Sequence, residues 1–210
     1  MLIRRRLFAA MAPALPFAMA LASGLPAHAD DLSGARDLIR STASKLLHVI
    51  NSSQSDAQKQ VELRRLVYNS VDVDGVARFV LGRYWRIATP AQRADYMATF
   101  RQLLVYAVTG QASSFQGATF KMGKVENRPV GIMVDTVVSV PGKPDTTVQW
   151  VVAYQSGQPK IIDILAEGTS LRITERNDYA GVISQHGDRI QPLIDAMHKQ
   201  LARFKANAAG

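Results

Sequence analysis

The 210-residue sequence contains no cysteine. Its fold therefore uses no disulfide bond, and thiol nucleophiles and cysteine metal ligands are excluded. The few histidines are His28, His48, His186 and His198. They form no His-x-x-x-His pair of metal-ligand spacing. A Gly-x-Ser-x-Gly nucleophile motif and a phosphate-binding glycine loop are missing too. These absences leave the sequence without a recognisable catalytic residue, metal site or cofactor motif.

Positive charge exceeds negative charge, with 25 Lys and Arg against 17 Asp and Glu. No dense basic run with interleaved aromatic residues accompanies this excess, so nucleic acid is not an expected partner. A mild basic excess suits contact with anionic lipid or with an acidic protein surface, and it serves solubility equally well.

The first 29 residues have the pattern of a cleaved export signal. Three arginines at 4–6 precede an uncharged apolar stretch over 7–25, and residues 27–29 (Ala-His-Ala) have the small-x-small form of a signal peptidase site. Pro13 and Pro16 interrupt the stretch, which is short of a full membrane span. A retained membrane anchor is the alternative. The sequence predicts cleavage after residue 29 and a periplasmic protein.

The remaining chain changes from helical to strand patterning and back. Apolar residues spaced three and four apart predict helices, and alternation predicts strands. Helices are expected over 31–52, from Asp56, over 72–81 before Gly82, over 90–110 after a Thr89–Gln92 capping box, from Asn177 or Asp178 to Gly187, and from a cap at Asp188. Strands are expected over 118–125, 130–140, 146–154 and 159–166.

Short turns rich in proline and glycine separate these strands, which favours antiparallel neighbours. The sequence therefore predicts an α+β fold, with helices packed on one face of a curved antiparallel sheet of about four strands. An apolar cavity between the two layers is expected. Residues 30–205 have the length of a single domain, and 206–210 are predicted to be a disordered tail.

Two sets of charged residues have alternative interpretations. Asp163 and Glu167 would share a strand face only if the chain stayed regular, and Gly168 favours a turn, so Asp163 is predicted to be buried and hydrogen-bonded. Arg78, Arg83 and Arg86 are suited to a phosphate or an acidic partner, or to ion pairs with nearby acids. A structural ion pair is the expectation for Arg78.

The order of residues resembles a known family. One block runs from Asp74 to Arg86 as Asp-Gly-Val-Ala-Arg-Phe-Val-Leu-Gly-Arg-Tyr-Trp-Arg and continues through Ala88-Thr89-Pro90-Ala91-Gln92-Arg93 to Phe100. A second block follows in order, with Val152-Ala153-Tyr154, Lys160 to Ile164, Glu167 to Leu171, and Arg176, Tyr179, Ile183 and Gly187. Together they closely resemble the MlaC family, also called toluene-tolerance auxiliary proteins, from about Asp31 to Leu201.

The resemblance implies a non-enzymatic periplasmic carrier that holds phospholipid acyl chains between helices and sheet. It also implies two partners, an outer-membrane lipoprotein complex and an inner-membrane ABC transporter with an MCE-domain protein. The candidate lipid-binding residues are Phe79, Tyr84, Trp85, Phe100, Leu103, Tyr106, Trp150, Val152 and Ile164.

Three alternatives stay open. Ala166 and Thr169 are smaller than the family's usual residues, and some relatives are associated with hopanoid synthesis, so a polycyclic lipid is an alternative cargo. A protein-binding adaptor with a filled core is a second alternative. A small acid-base enzyme that uses Asp163 as its base is a third.

Overall fold

Period-two patterning in the second half of the chain produces one antiparallel sheet. The structure is a computed structural model that describes residues 27–110 and 112–207. The predicted export signal therefore lies almost wholly outside the described residues. The strands are β1 (Thr119–Arg128), β2 (Gly131–Ser139), β3 (Thr146–Gln155), β4 (Gln158–Ala166) and β5 (Thr169–Ser170), adjacent in chain order. The four predicted strands are confirmed, and the two-residue β5 is an addition.

The helices flank the sheet in sequence. They are α1 (Ala27–Asn51), α2 (Asp56–Ser70), α3 (Val73–Leu81), α4 (Tyr84–Ile87), α5 (Pro90–Gly110), α6 (Leu171–Gln185) and α7 (Gln191–Asn207), with a short 3-10 helix at Ala112–Phe115. The α+β prediction is thus confirmed. Helix α7 includes residues 206 and 207, although the sequence predicts them to be part of a disordered tail. Among the described helices, none combines the length and apolar character that a membrane crossing requires.

Polar side chains fix where these helices begin. The capping box before α5 is confirmed, because the Thr89 N–H donates to Gln92 Oε1 at 3.1 Å and the Gln92 N–H donates to Thr89 Oγ1 at 3.2 Å. Helix α2 begins at Asp56 as predicted, but Asp56 is not its cap. Ser55 caps α2 instead, in a reciprocal box with Gln58.

The predicted start of α6 at Asn177 or Asp178 is also wrong. A tight turn at Glu167 and Gly168, both at positive φ, returns the chain from β4 into β5. Ser170 then caps α6, accepting a hydrogen bond from the Ile173 N–H at 3.2 Å. The helix therefore begins six or seven residues earlier than predicted, at Leu171, which matters because its first two turns contribute to the site described below.

The proposed cap of α7 at Asp188 is wrong as well. Asp188 has a φ of 57°, and its carboxylate accepts a hydrogen bond from the Tyr84 hydroxyl at 2.9 Å. This contact ties the α6–α7 connection to α4. The final helix starts three residues later, at Gln191.

Two clusters of buried side chains form the core. The larger one joins α3, α5, α6 and α7 around Leu81, Tyr96, Ile183 and Ile194. The smaller one packs α1, through Ala35 and Ile39, onto one face of the sheet; its sheet members are Ile132, Val134, Val152 and Ile161. Most of the sheet face is therefore covered by α1, and β4 is the strand that meets the larger helical cluster.

Strand β4 also holds the junction between α2 and α3. Val71 forms a parallel bridge with Ile161, and the Asp72 N–H donates to the Ile161 carbonyl at 2.9 Å. Because β5 pairs only with the end of β4, this junction satisfies part of the edge that β5 leaves open. The helical cluster is anchored to the sheet through that contact.

The turn at Gly82 gives a direct test of this packing. Gly82 has φ 58° and ψ −129°, and an added Cβ would lie 3.0 Å from Arg176 Cζ. We expect Gly82→Ala to lower the free energy of unfolding by about 1–2 kcal/mol, since L residues disfavour this backbone region. Urea denaturation followed by circular dichroism measures the change.

The matched control is Gly181→Ala within α6, where an added Cβ meets nothing within 4 Å. It should raise stability by about 0.5–1 kcal/mol, because alanine replaces glycine inside a helix. A Gly82→Ala protein as stable as the wild type would contradict this account of the turn.

Candidate binding cavity

A cavity of about 370 Å³ lies between β4 and the helices. Its walls come from five helices and one strand. The lining residues are Val67 and Val71 of α2 and its end, Val76 and Val80 of α3, Phe100, Leu103, Leu104, Ala107 and Val108 of α5, Ile161, Ile162, Asp163 and Ile164 of β4, Leu171, Arg172, Thr174, Glu175 and Tyr179 of α6, and Gln200 and Phe204 of α7. The wall is largely aliphatic and aromatic. The predicted apolar cavity between helices and sheet is confirmed.

A β-bulge interrupts the four consecutive residues of β4 that line the cavity. Regular alternation would send neighbouring side chains to opposite faces. Here Val151 pairs with Asp163 while Val152 pairs with Ile161, so Ile162 is an extra residue with no partner on β3. The bulge bends the strand at the cavity wall.

The Asp163 carboxylate is buried at this bend and binds four groups. It accepts hydrogen bonds from the Ser170 hydroxyl at 2.6 Å, the Ile164 N–H at 2.8 Å and the Arg172 N–H at 3.2 Å. The Arg172 Nε lies 3.2 Å from the second carboxylate oxygen. The prediction of a buried, hydrogen-bonded Asp163 is confirmed, and both of its oxygens hold the start of α6 against β4.

Glu175 is a second acid in the cavity wall. Burial raises the pKa of its carboxyl above the ordinary value; the Tyr179 hydroxyl lowers it, and Asp178 adds to the increase. Burial likewise raises the pKa of Tyr179, whose ring meets Tyr96 edge-on at 6.3 Å. Glu175 is therefore easier to protonate than a surface glutamate. Within the described residues, no cluster of acids and histidines suits a metal ion.

The structure places three of the candidate lipid-binding residues on the cavity. Phe100 and Leu103 contribute from α5 and Ile164 from β4. Trp150 and Val152 lie on the same face of the sheet as this strand wall, since they pair with Ile164 and Ile161. They pack in the cluster under α1 instead of lining the cavity, because α1 covers the face over β2 and β3.

The other four candidates surround the helical cluster. Phe79 contacts two arginines of α6, with its ring centroid 4.4 Å from Arg172 Cζ and 4.9 Å from Arg176 Cζ. Tyr84 is buried and hydrogen-bonded to Asp188. Tyr106 stacks on Phe204 with ring centroids 5.9 Å apart, and it faces a smaller, polar cavity.

Trp85 is the last candidate, and arginines contact its ring from two helices. Arg78 and Arg93 each place their guanidinium carbon 5.4 Å from its centroid. The ion pair expected for Arg78 is therefore replaced by a cation–π contact, and Asp74 pairs with Arg101 at 2.8 Å. Arg83 lies 3.7 Å from Asp188. These contacts make the Arg78–Arg93 region a packed basic surface outside the cavity.

Sequence reasoning missed most of the contribution of α6. Four of its five lining residues precede the predicted helix start at Asn177 or Asp178, and only Tyr179 lies within the predicted helix. The available indication was Ser170, a favoured N-cap residue directly after the Glu167-Gly168 turn. The cavity-lining valines of α2 and α3 were also absent from the candidate lipid-binding residues.

Comparisons with known proteins agree with this architecture. The family model described as MlaC protein matches residues 40–199. The toluene tolerance protein ttg2D of Pseudomonas putida is 21% identical over 182 residues, which cover 82% of this chain and 83% of that protein. A phospholipid-binding protein from Ralstonia solanacearum, solved in complex with a phospholipid, superposes with a TM-score of 0.71 at 20% identity, over 81% of this chain and 98% of that one.

These observations define an α+β protein that encloses an apolar cavity between helices and a curved antiparallel meander. The match spans most of the chain, well beyond the two sequence blocks. The chain belongs to the MlaC family.

The raised pKa of Glu175 predicts a pH-dependent effect of Glu175→Gln. Because burial disfavours its charged form, the glutamate's favourable contribution is fully present below its unfolded pKa, near 4.5, and is lost as pH rises through the raised folded value. Glutamine stays neutral throughout. Thermal midpoints measured from pH 4 to 8 should show that the midpoint of Glu175→Gln increases relative to that of the wild type as pH rises. A pH-independent difference between the two midpoints would contradict this.

Proposed function

We propose that this chain is a periplasmic lipid carrier that holds the acyl chains of a phospholipid in the cavity between β4 and the helices. The observation that carries the proposal is a 370 Å³ cavity with a mostly aliphatic and aromatic wall inside a well-packed helical layer. A filled core, as in a protein-only adaptor, would have no such space. Membership of the MlaC family supports the same assignment.

The size of the cavity indicates how much lipid it holds in this conformation. At roughly 30 Å³ for a water-sized group, it accommodates on the order of a dozen methylenes. Burying each methylene is worth about 0.8 kcal/mol, so a dozen contribute on the order of 10 kcal/mol. Apolar contact alone is then enough for tight binding, and two long acyl chains require the helices to separate further.

The same energy makes unaided release into water slow. We therefore include in the proposal the partners that the family resemblance implies, an outer-membrane lipoprotein complex and an inner-membrane ABC transporter with an MCE-domain protein. Docking to either would have to open the cavity before lipid leaves. The export pattern of residues 1–29 supports a location between those two membranes.

A carrier of this kind needs no catalytic group. Asp163, the residue considered as a base, already accepts hydrogen bonds from two backbone N–H groups and one hydroxyl. Its position in the wall is accounted for by the packing of α6 on β4. This supports a structural role for the carboxylate.

Native mass spectrometry of protein purified from the periplasm, followed by lipid extraction, tests the proposal. We expect about one phospholipid per wild-type chain. Leu104→Asp should abolish it, because Leu104 lines the cavity and is half-buried, so the new charge lies in the wall without disrupting the fully buried core.

The matched control is Val61→Asp on α2, which is 53% exposed and outside the cavity wall. It should retain the lipid. A polycyclic lipid in place of phospholipid would change the cargo and keep the carrier. A wild-type protein that is empty and takes up no lipid from vesicles would contradict the proposal.

A further inference from the structure

Two arginines of α6 stand together beside the cavity. Arg172 and Arg176 are one helical turn apart, so both project from the same side of α6. Both guanidinium groups contact one ring, that of Phe79 on α3, at 4.4 and 4.9 Å from its centroid. The separation of the two Cζ atoms therefore cannot exceed the sum of their distances from the Phe79 centroid. Arg172 itself lines the cavity.

The acids nearby balance only part of this charge. Asp163 pairs with Arg172 through Nε, and the Arg172 side chain is only 16% exposed. Within residues 27–110 and 112–207, no acid pairs with Arg176, and neither guanidinium donates a hydrogen bond from its terminal nitrogens to the protein. Glu175 lies between the two in sequence, and its burial disfavours its charged form. Arg176, which lies beside the lining residue Arg172 and is not itself part of the wall, thus adds an unbalanced positive charge next to the cavity.

The packing around the pair holds it in position. The Phe79 ring supports both guanidinium planes, and Asp163 anchors the first of them. Gly82 leaves the space that Arg176 occupies, since a Cβ there would meet its guanidinium atoms at 3.0–3.1 Å. Two like charges confined in this way are stabilised by an anion that bridges them, and a planar guanidinium matches two phosphate oxygens at once.

From this geometry we propose that Arg172 and Arg176 form a phosphate-binding site at the cavity, which receives the phosphodiester of a bound lipid while its acyl chains occupy the apolar wall. The assignment rests on the proposed lipid-binding function. It names the chemical feature that selects a phospholipid over an uncharged lipid with the same tails. Leu171, which lines the cavity and is 50% exposed, lies next to Arg172, where a headgroup at the solvent boundary would be placed.

The test compares two short-chain lipids with identical tails, dioctanoyl phosphatidylglycerol and dioctanoylglycerol, below their micelle concentrations. Binding to the lipid-free full protein is measured by isothermal titration calorimetry. The wild type should bind the phosphatidylglycerol more tightly. Arg176→Gln should weaken that binding about tenfold, a loss of about 1.4 kcal/mol, and leave dioctanoylglycerol unchanged. Arg176→Lys should recover part of the loss, since it keeps the charge.

The control for general charge is Arg65→Gln on the exposed side of α2, which should alter neither lipid. Thermal midpoints of all variants identify any that fail to fold, and Arg172→Gln is left aside because it also breaks the contact with Asp163. Inorganic phosphate is titrated separately. Phosphate binding that depends on Arg176, with phosphatidylglycerol affinity unchanged in Arg176→Gln, would overturn the headgroup assignment in favour of a free-anion site.

Two further outcomes distinguish failure of this inference from failure of the carrier proposal. Equal binding of both lipids by the wild type, unaffected by Arg176→Gln, would overturn this inference and leave the carrier proposal standing. Binding of neither lipid would count against the carrier proposal itself.

Discussion

The Asp163 carboxylate is the contact on which the site depends. It sits at the bend of β4 and accepts hydrogen bonds from the backbone and side chain of the segment that starts α6. A buried carboxylate at a helix N-terminus is favoured because it faces unpaired N–H groups and the positive end of the helix dipole. This one interaction sets where α6 leaves the sheet. The position of α6 in turn sets one wall of the cavity and the place of its two arginines.

The second constraint is which helices pack on which strands of the sheet. The first helix lies across the inner face from β1 to β4, where Ala35 and Ile39 pack with Val134, Val152 and Ile161. The remaining helices pack chiefly on one another and reach the sheet at β4. Space is left where these two packing arrangements meet. In a chain without disulfides, such a void is tolerated because the flanking clusters are each well buried.

The sequence was informative where local chemistry decides structure. Alternation located β1 to β4, and the Thr89–Gln92 pattern located the start of α5, since both depend on neighbouring residues alone. It was least informative at α6. There, Ser170 competes with Asn177 and Asp178 as a cap, and the choice depends on the hydrogen bond from Ser170 to Asp163, a contact that exists only after β4 and β5 have paired.

For the candidate site too, the sequence was informative about local patterns and uninformative about contacts between distant elements. The lipid-binding candidates named from the resemblance include three that line the cavity, Phe100, Leu103 and Ile164. Trp150 and Val152 lie on the same sheet face as Ile164, but alternation could show neither which face is the inner one nor that α1 lies over them. Phe79 and Trp85, aromatic residues of the Asp74–Arg86 block, were predicted to line the cavity. Their observed contacts are with arginines, a pairing across helices that no single helix pattern reveals.

The bulge at Ile162 has a consequence for comparing this chain with its relatives. Beyond that residue, odd and even positions of β4 exchange faces, so Ile161 and Ile164 point the same way although three positions apart. Loss of the unpaired residue there would restore strict alternation and remove the bend, while Asp163 would keep its pairing with Val151. A relative with a one-residue gap at this point would thus have a straighter strand at the cavity wall, and its cavity would differ in shape even if every apolar residue were kept.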